Sequence, residues 1–103
     1  MAAALRFRDS AEGPLLVPVY VDDACIPYRG MLMSHMVADT APELAEMASG
    51  LGLRPDWLQH AGTYREHYDV AKNTRERAIR LGAVPITRRQ LAGHLMKRKE
   101  AQS

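Results

Sequence analysis

An apolar run that leads directly into a helix start is the feature that most constrains this chain. The run extends from Met31 to Ala38, and only Ser34 and His35 interrupt it. Its length suits a buried strand, although a helical turn is compatible with the same residues. Thr40-Ala41-Pro42-Glu43 follows, an order in which the Thr hydroxyl accepts a backbone amide of the helix and the Glu carboxylate reaches back. A strand followed by a capped helix favours an α/β fold.

The remaining elements follow from similar patterns. Residues 17–21 alternate valine with other residues and predict a first strand, whereas residues 24–30 predict a loop. Asp69 can cap a second helix, and residues 83–86 predict another short strand. Thr87-Arg88-Arg89-Gln90 repeats the capping pattern before a last helix. We therefore predict a short, mostly parallel sheet of three or four strands with about three helices.

The length of 103 residues predicts one small domain. Residues 1–16 show no clean period and predict a flexible N-terminal extension, residues 17–99 a single α/β domain, and residues 100–103 a frayed tail. The sequence has no apolar run near the roughly 20 residues that span a bilayer and no secretory cleavage pattern. Its single cysteine, Cys25, cannot form an internal disulfide. We expect a cytoplasmic protein without a membrane partner.

The charge is distributed unevenly along the chain. Residues 1–70 carry five Arg against ten Asp and Glu, a net charge of −5, whereas residues 71–103 carry nine Lys and Arg against two Glu, a net charge of +7. Such asymmetry is typical of proteins that bind an anionic partner. It is equally what the solvated outer faces of two helices produce. The alternative function is therefore a non-catalytic module that binds nucleic acid or protein through the basic C-terminal half.

Polar side chains occur where predicted strands end and predicted helices begin. Asp22 and Asp23 end the first strand, Asp39 ends the second, and His67-Tyr68-Asp69 precedes a helix. Ligands of open α/β sheets bind at the carboxyl ends of parallel strands, so we expect these groups to converge on one edge. The predicted catalytic residues are Asp22, His35 and His67.

The same three residues are the predicted ligands of a divalent metal ion. Carboxylates and imidazoles suit zinc, manganese or magnesium, and a bound ion can activate water for hydrolysis. The spacing matches no metal motif that we can name, and His35 in an apolar run is also compatible with a hydrogen-bonded core residue. Asp39 and Asp69 can equally be helix caps, worth about 1 kcal/mol each.

Basic residues near these motifs favour a phosphate-containing ligand such as a nucleotide. Arg29, Arg65, Lys72 and Arg75 flank the motifs, and the last two belong to the first turns of a helix whose amides favour anions. The common glycine-rich nucleotide motifs are missing. The predicted activity is metal-assisted phosphoester hydrolysis, and a homodimer formed through residues 31–36 remains open. The predicted substrate-binding residues are Asp23, Tyr28, Arg29, Asp39, Tyr68, Asp69, Lys72 and Arg75.

Several segments resemble one small family of bacterial and phage proteins. They are Val19-Tyr20-Val21-Asp22-Asp23-Ala24, Pro27-Tyr28-Arg29-Gly30, Met31-Leu32-Met33-Ser34-His35-Met36, His67-Tyr68-Asp69-Val70 and Thr87-Arg88-Arg89-Gln90-Leu91. The family is known as domain of unknown function 4031, and the likeness covers roughly residues 19–95. Family members often have Cys where this chain has Ser34, which argues against a function that needs a thiol there. The resemblance implies a compact cytoplasmic domain and no particular activity.

Overall fold

The computed structural model describes residues 18–102, so the predicted extension at residues 1–16 lies outside the described part of the chain. The elements define a small α/β domain, as predicted, and within the described residues no helix is both long and apolar enough to cross a bilayer. In chain order they are β1 (Val19–Val21), β2 (Ile26–Tyr28), β3 (Met31–Ala38), α1 (Ala41–Leu51), β4 (Tyr68–Ala71), α2 (Lys72–Arg80), β5 (Val84–Pro85) and α3 (Arg88–Gln102).

The long strand β3 organises the five-stranded sheet. It pairs antiparallel with β1, with β2 and with β4. Met33 and Met36 each pair on both sides, so β1 and β2 lie along one edge of β3 and β4 lies along the other. Among the strands of residues 18–102, only β1 and β5 pair in parallel. The prediction of a mostly parallel sheet is therefore wrong: the sheet is mixed and mostly antiparallel.

Two short strands account for this error. β2 lies inside the predicted loop at residues 24–30, and a two-residue turn joins it to β3 as a hairpin. Arg29 and Gly30 form that turn with φ values of 50° and 78°, the positive values that the tightest hairpins require. β4 occupies residues that we expected to precede a helix. Asp69 lies within this strand and caps nothing, since α2 begins at Lys72 without a side-chain cap.

The predicted helix starts at Thr40 and Thr87 are confirmed. The amide of Glu43 donates to Thr40 Oγ1 at 3.4 Å, and α1 ends before Gly52, whose φ is 78°. Before α3, Gln90 N donates to Thr87 Oγ1 at 3.1 Å and Thr87 N donates to Gln90 Oε1 at 2.8 Å. This reciprocal pair is the capping box that the sequence predicts.

The two faces of the sheet carry different side chains because successive residues of a strand point to opposite sides. One face packs against α1 and α2 and supplies most of the hydrophobic core. The opposite face carries the side chains of Tyr20, His35 and Val37, and α3 covers it through Leu91 and Leu95. The buried core residues are Val19, Val21, Met36, Ala38, Leu44, Met47, Ala48, Leu51, Tyr68, Val70, Ala78 and Ala83.

Candidate functional site

Antiparallel pairing of β3 with β4 brings three polar side chains to the face under α3. His35 lies directly opposite Asp69 in the register of the two strands. His67 precedes Asp69 by two residues, which places its side chain on the same face of the sheet. The rings of His35 and His67 meet edge to face, with their centroids 5.5 Å apart. One face of two neighbouring strands therefore holds two imidazoles and a carboxylate.

A fully buried carboxylate orients His35. Asp22 Oδ1 accepts the backbone amides of His35 at 2.8 Å and Ala24 at 3.2 Å, and Oδ2 lies 2.8 Å from His35 Nδ1. A carboxylate oxygen only accepts, so His35 Nδ1 must carry the hydrogen of this bond. The neutral ring then presents its Nε2 lone pair, and the side chain is 26% exposed.

A backbone carbonyl orients His67 in the same way. His67 Nδ1 lies 2.8 Å from the carbonyl oxygen of Arg65, and this oxygen can only accept a hydrogen bond. His67 Nε2 therefore faces the opposite way, 3.4 Å from Asp69 Oδ1. The other oxygen of that carboxylate, Oδ2, accepts from Gln59 Nε2 at 2.6 Å. Both imidazoles thus have Nδ1 bonded and Nε2 available.

His35 and His67 line a cleft between the sheet and α3, here called the α3 cleft. Its volume is about 260 Å³. Exposed guanidinium side chains from Arg65 and Arg88 share the cleft with the imidazoles, and three residues of α3 supply apolar surface. Two arginines at a small cleft favour an anionic ligand. The lining residues are Asp22, His35, Val37, Arg65, His67, Arg88, Leu91, Ala92 and Leu95.

Polar contacts at both ends of α3 determine the shape of this cleft. At its first residue, the amide of Arg88 donates to Asp23 Oδ1 at 2.9 Å. Near its other end, Arg98 forms an ion pair with Glu66 at 3.2 Å, where Glu66 is 2% exposed, and donates to the carbonyl of Ala38 at 3.3 Å. Only Leu91 among the α3 side chains is buried. The helix is therefore positioned largely by hydrogen bonds and charge.

The structure brings together some of the residues that the sequence predicts for the site. Asp22, His35 and His67, the predicted catalytic and metal-binding residues, all line the α3 cleft. The Asp22 carboxylate, however, accepts from His35 Nδ1 and from two backbone amides, whereas Asp69, predicted as substrate-binding, lies beside His67 Nε2. The carboxylate beside His67 Nε2 is therefore that of Asp69 and not that of Asp22.

None of the eight predicted substrate-binding residues lines the α3 cleft. Tyr28 and Arg29 lie at the β2–β3 hairpin, where the guanidinium packs 5.3 Å from the Tyr28 ring centroid. Tyr68 is buried in the core on the opposite face of the sheet. Lys72 is exposed at the start of α2, and Arg75 Nε donates to the backbone carbonyl of Asp22 at 2.7 Å.

Asp39 and Asp23 also make contacts within the fold. Asp39 follows β3 and accepts from the Tyr20 hydroxyl at 3.4 Å. Since β3 runs antiparallel to β1, Asp39 and Asp22 lie at opposite ends of these strands rather than at one edge. Asp23 accepts the first amide of α3, which places it at the entrance to that helix. The expected convergence at a parallel edge is therefore replaced by a cluster on the sheet face.

Sequence reasoning missed Gln59, left Arg65 and Arg88 outside the predicted site, and did not assign the apolar face of α3, with Leu91, Ala92 and Leu95, to the site. A signal for β4 was present in His67-Tyr68-Asp69-Val70, where polar and apolar residues alternate as in a half-buried strand. On α3, the cleft residues Arg88, Leu91, Ala92 and Leu95 recur with helical spacing along one face. Nothing in the sequence indicates the contact of Gln59 with Asp69.

In a comparison with protein-family models, residues 19–98 match the model described as "Protein of unknown function (DUF4031)". This chain is a DUF4031 protein. No curated protein and no solved structure gave a match. The residues matched to DUF4031 include the whole lining of the α3 cleft, together with Gln59 and Asp69. The resemblance seen in the sequence is thereby confirmed.

Proposed function

We propose that this DUF4031 domain binds a small phosphate-containing molecule, such as a nucleotide, in the α3 cleft and hydrolyses its phosphoester bond. The observation that carries the proposal is the lining of one cleft by two imidazoles and two guanidinium groups, those of His35, His67, Arg65 and Arg88. Imidazoles serve the proton transfers of hydrolysis, and guanidinium groups recognise phosphate oxygens in pairs. The combination favours phosphoester chemistry over simple anion binding.

The chemistry of hydrolysis agrees with this set of groups. Water attacks phosphorus and forms a new P–O bond while the ester P–O bond breaks. Water loses one proton, and the leaving oxygen gains one. The Nε2 atoms of His35 and His67 are the groups that activate water, either as bases or as ligands of a bound ion, and Arg65 and Arg88 offset the negative charge of the phosphoryl oxygens.

The dimensions of the cleft favour a small substrate. Its volume of about 260 Å³ is slightly below the roughly 300–1,000 Å³ of most small-molecule sites. The apolar wall formed by Leu91, Ala92 and Leu95 suits the organic part of a monoester. A phosphomonoester therefore fits the cleft better than a polymer does.

The alternative function, nucleic-acid binding by the basic C-terminal half, has less support. Arg75 and Arg77 donate to the backbone carbonyls of Asp22 and Leu51, and Arg98 is paired with Glu66. These contacts give three of the basic residues a role in the fold. The charge asymmetry of the sequence is thus explained in part without a nucleic-acid partner.

Release of inorganic phosphate tests the proposal. The full chain is incubated with p-nitrophenyl phosphate, nucleoside monophosphates and a single-stranded oligonucleotide, each with and without added Zn²⁺ or Mn²⁺. We expect turnover of monoesters, a loss of at least about 100-fold in His35→Ala, and little action on the oligonucleotide. No phosphate release from any ester, together with no stabilisation by phosphate in thermal unfolding, would overturn the proposal.

Two neighbouring arginines provide a matched comparison for the phosphate contact. Arg88 lines the cleft, whereas Arg89 is exposed and is not among the lining residues. Removing one charged hydrogen-bonding partner of a phosphate is expected to cost about tenfold or more in kcat/KM. Arg88→Ala is therefore expected to lower kcat/KM by at least about tenfold, with Arg89→Ala close to wild type. Equal values of kcat/KM in the two variants would show that Arg88 does not contact the phosphate group of the substrate.

A further inference from the structure

We propose that His35, His67 and Asp69 bind a divalent transition-metal ion, with Zn²⁺ the best fit, beside the α3 cleft. One ligand atom from each of the three side chains lies within 4.8 Å of the others. Among residues 18–102, no second group of three such side chains meets this closely. Binding of the ion follows from this geometry alone, and its use in hydrolysis rests on the proposed function.

The spacing of the three groups is near that of a zinc site. Ligand atoms at about 2.0–2.1 Å from a tetrahedral ion lie roughly 3.3 Å from one another. His67 Nε2 and Asp69 Oδ1 are already 3.4 Å apart. The remaining separations, up to 4.8 Å, must shorten by up to about 1.5 Å when the ion binds, and the side chains of Asp69 and His35 are exposed enough to move.

The contact between His67 and Asp69 itself points to a cation. His67 Nδ1 must carry a hydrogen because it faces the carbonyl oxygen of Arg65. In the neutral ring, His67 Nε2 is then a lone pair that faces a carboxylate oxygen, which is also an acceptor. Two acceptors at this distance repel each other unless a cation lies between them. That cation is a proton on Nε2 or a metal ion shared by both groups.

The groups behind the three ligands favour the metal ion. Ligating histidines in metal sites usually donate their second ring nitrogen to a carboxylate or a carbonyl, and ligating carboxylates are themselves hydrogen-bonded. Asp22 takes this position behind His35, and the carbonyl of Arg65 takes it behind His67. Gln59 Nε2 donates to Asp69 Oδ2 at 2.6 Å, and the other carboxylate oxygen, Oδ1, faces His67. All three ligands thus have the outer partner that a metal site requires.

The ligand types determine which ion the site prefers. Two neutral imidazoles and one carboxylate suit Zn²⁺, Mn²⁺ or Fe²⁺, whereas Mg²⁺ and Ca²⁺ prefer oxygen ligands only. Three protein ligands also leave the fourth position of a tetrahedral ion to water, as in catalytic zinc sites. The ion would lower the pKa of that water toward neutral, so that the water could give up a proton to solvent and supply the oxygen of the new P–O bond as the ester P–O bond breaks. The leaving oxygen takes its proton from solvent.

Metal binding is measured first, without any substrate. Chelator-treated protein is titrated with Zn²⁺ and with Mg²⁺ by isothermal calorimetry, and with Co²⁺ by visible absorption, whose bands report tetrahedral geometry. We expect one Zn²⁺ per chain, tetrahedral Co²⁺ bands, and Mg²⁺ binding at least about 100-fold weaker. Absence of saturable Zn²⁺ binding, or a Zn²⁺ affinity equal to that for Mg²⁺, would overturn the metal site.

Substitutions then locate the ion. His67→Ala and Asp69→Asn each remove a ligand that is not buried and are each expected to weaken Zn²⁺ binding at least about tenfold. Each variant has a control with the same type of substitution outside the proposed site. His94→Ala removes an imidazole that stacks on Tyr20, and Asp56→Asn changes an exposed carboxylate paired with Arg54. Wild-type affinity in both ligand variants, or equal losses in the controls, would refute the assignment.

Gln59 tests the outer partners separately because its side chain does not belong to the proposed ligands. Gln59→Ala removes the bond to Asp69 Oδ2 and is expected to lower Zn²⁺ affinity by about 10-fold while the one-to-one stoichiometry persists. An unchanged affinity would count against the proposed role of Asp69, since a ligating carboxylate depends on its own hydrogen bond.

The outcome separates the metal site from the proposed function. Site-dependent Zn²⁺ binding without hydrolysis of any ester supports the metal site and overturns the hydrolase proposal. Hydrolysis that persists after chelation, with no saturable Zn²⁺ binding, overturns the metal site and leaves the hydrolase proposal in place.

Discussion

The phenol of Tyr20 is held in a partly buried, negatively charged environment. Its ring stacks on His94, with centroids 3.9 Å apart, and its hydroxyl donates to Asp39 at 3.4 Å. Burial, followed by the negative charge of Asp39, raises the pKa of Tyr20 above its usual value of 10.0. The folded protein therefore holds this proton more tightly than the unfolded chain does. This contribution to stability is complete below pH 10 and is lost as the pH rises through the native pKa.

We accordingly expect the free energy of unfolding to fall above about pH 10 and to fall less steeply in Tyr20→Phe. Burial also raises the pKa of Tyr68, so part of the pH dependence should remain in this variant. Urea unfolding at about pH 8 and at two values above pH 10 measures the slope. Identical slopes in the wild type and the variant would show that Tyr20 titrates alike in both states.

At the same scale, the sequence predicts individual residues of the site but not their partners. It indicates Asp22 at a strand end and His35 within a strand, with Ser34 on the other face, and both positions are correct. It cannot indicate that the Asp22 carboxylate reaches His35 Nδ1, because that bond depends on antiparallel pairing of β1 with β3. The local sequence pattern indicates on which face of a strand a side chain lies, whereas the pairing of strands distant in sequence determines which side chains it contacts.

Among the elements, α3 depends on few contacts for its position. Its single buried side chain is Leu91, and an ion pair between Arg98 and Glu66 connects its C-terminal half to the segment before β4. Glu66 also accepts the amide of Gly62 through its other oxygen. Loss of Arg98 would leave a buried carboxylate without its cation, which is costly in a region of low dielectric constant.

Arg98→Ala is therefore expected to lower the free energy of unfolding by about 3 kcal/mol, as measured by urea denaturation. Arg89→Ala, an exposed change on the same helix, should stay within about 0.5 kcal/mol of wild type. Comparable losses in the two variants would mean that helix propensity, rather than the buried pair, holds α3.

At this scale, the sequence prediction is accurate where an element carries a local signal of its own, as the alternating valines of the three-residue strand β1 do. α1 and α3 carry their own capping signals, and β3 is a long apolar run, so all three are recognised. β2 has three residues including Pro27, and β4 has four. Such short strands are stable only when paired with β3, so the sequence within them gives a weak signal. Because the sequence does not predict β2 and β4, their antiparallel pairing with β3 is missed as well, and the sheet is wrongly predicted to be mostly parallel.

The whole molecule should respond to its proposed ion as a ligand-stabilised protein. At a free Zn²⁺ concentration 100 times Kd, linkage adds about 2.7 kcal/mol to the free energy of unfolding. For a domain of this size, that corresponds to a rise in Tm of roughly 10–20 °C. Scanning calorimetry with Zn²⁺ and then with excess chelator measures the shift and its reversal. Asp69→Asn should show a much smaller shift, and an equal shift there would locate the ion elsewhere.

His35 and Asp69 lie directly opposite each other on the paired strands β3 and β4, so the spacing of these two residues depends on the sheet rather than on the helices around it. The backbone ladder holds the Cα atoms of such a pair about 4.5–5.5 Å apart, independently of the surrounding side chains. His67 lies one residue before β4, and backbone hydrogen bonds of 2.9 and 3.1 Å to Gln59 hold it in place. The separation of the three groups is thus inherited from the main chain. Helices on either side can be exchanged or repacked, and the trio keeps its dimensions as long as those two strands stay in register.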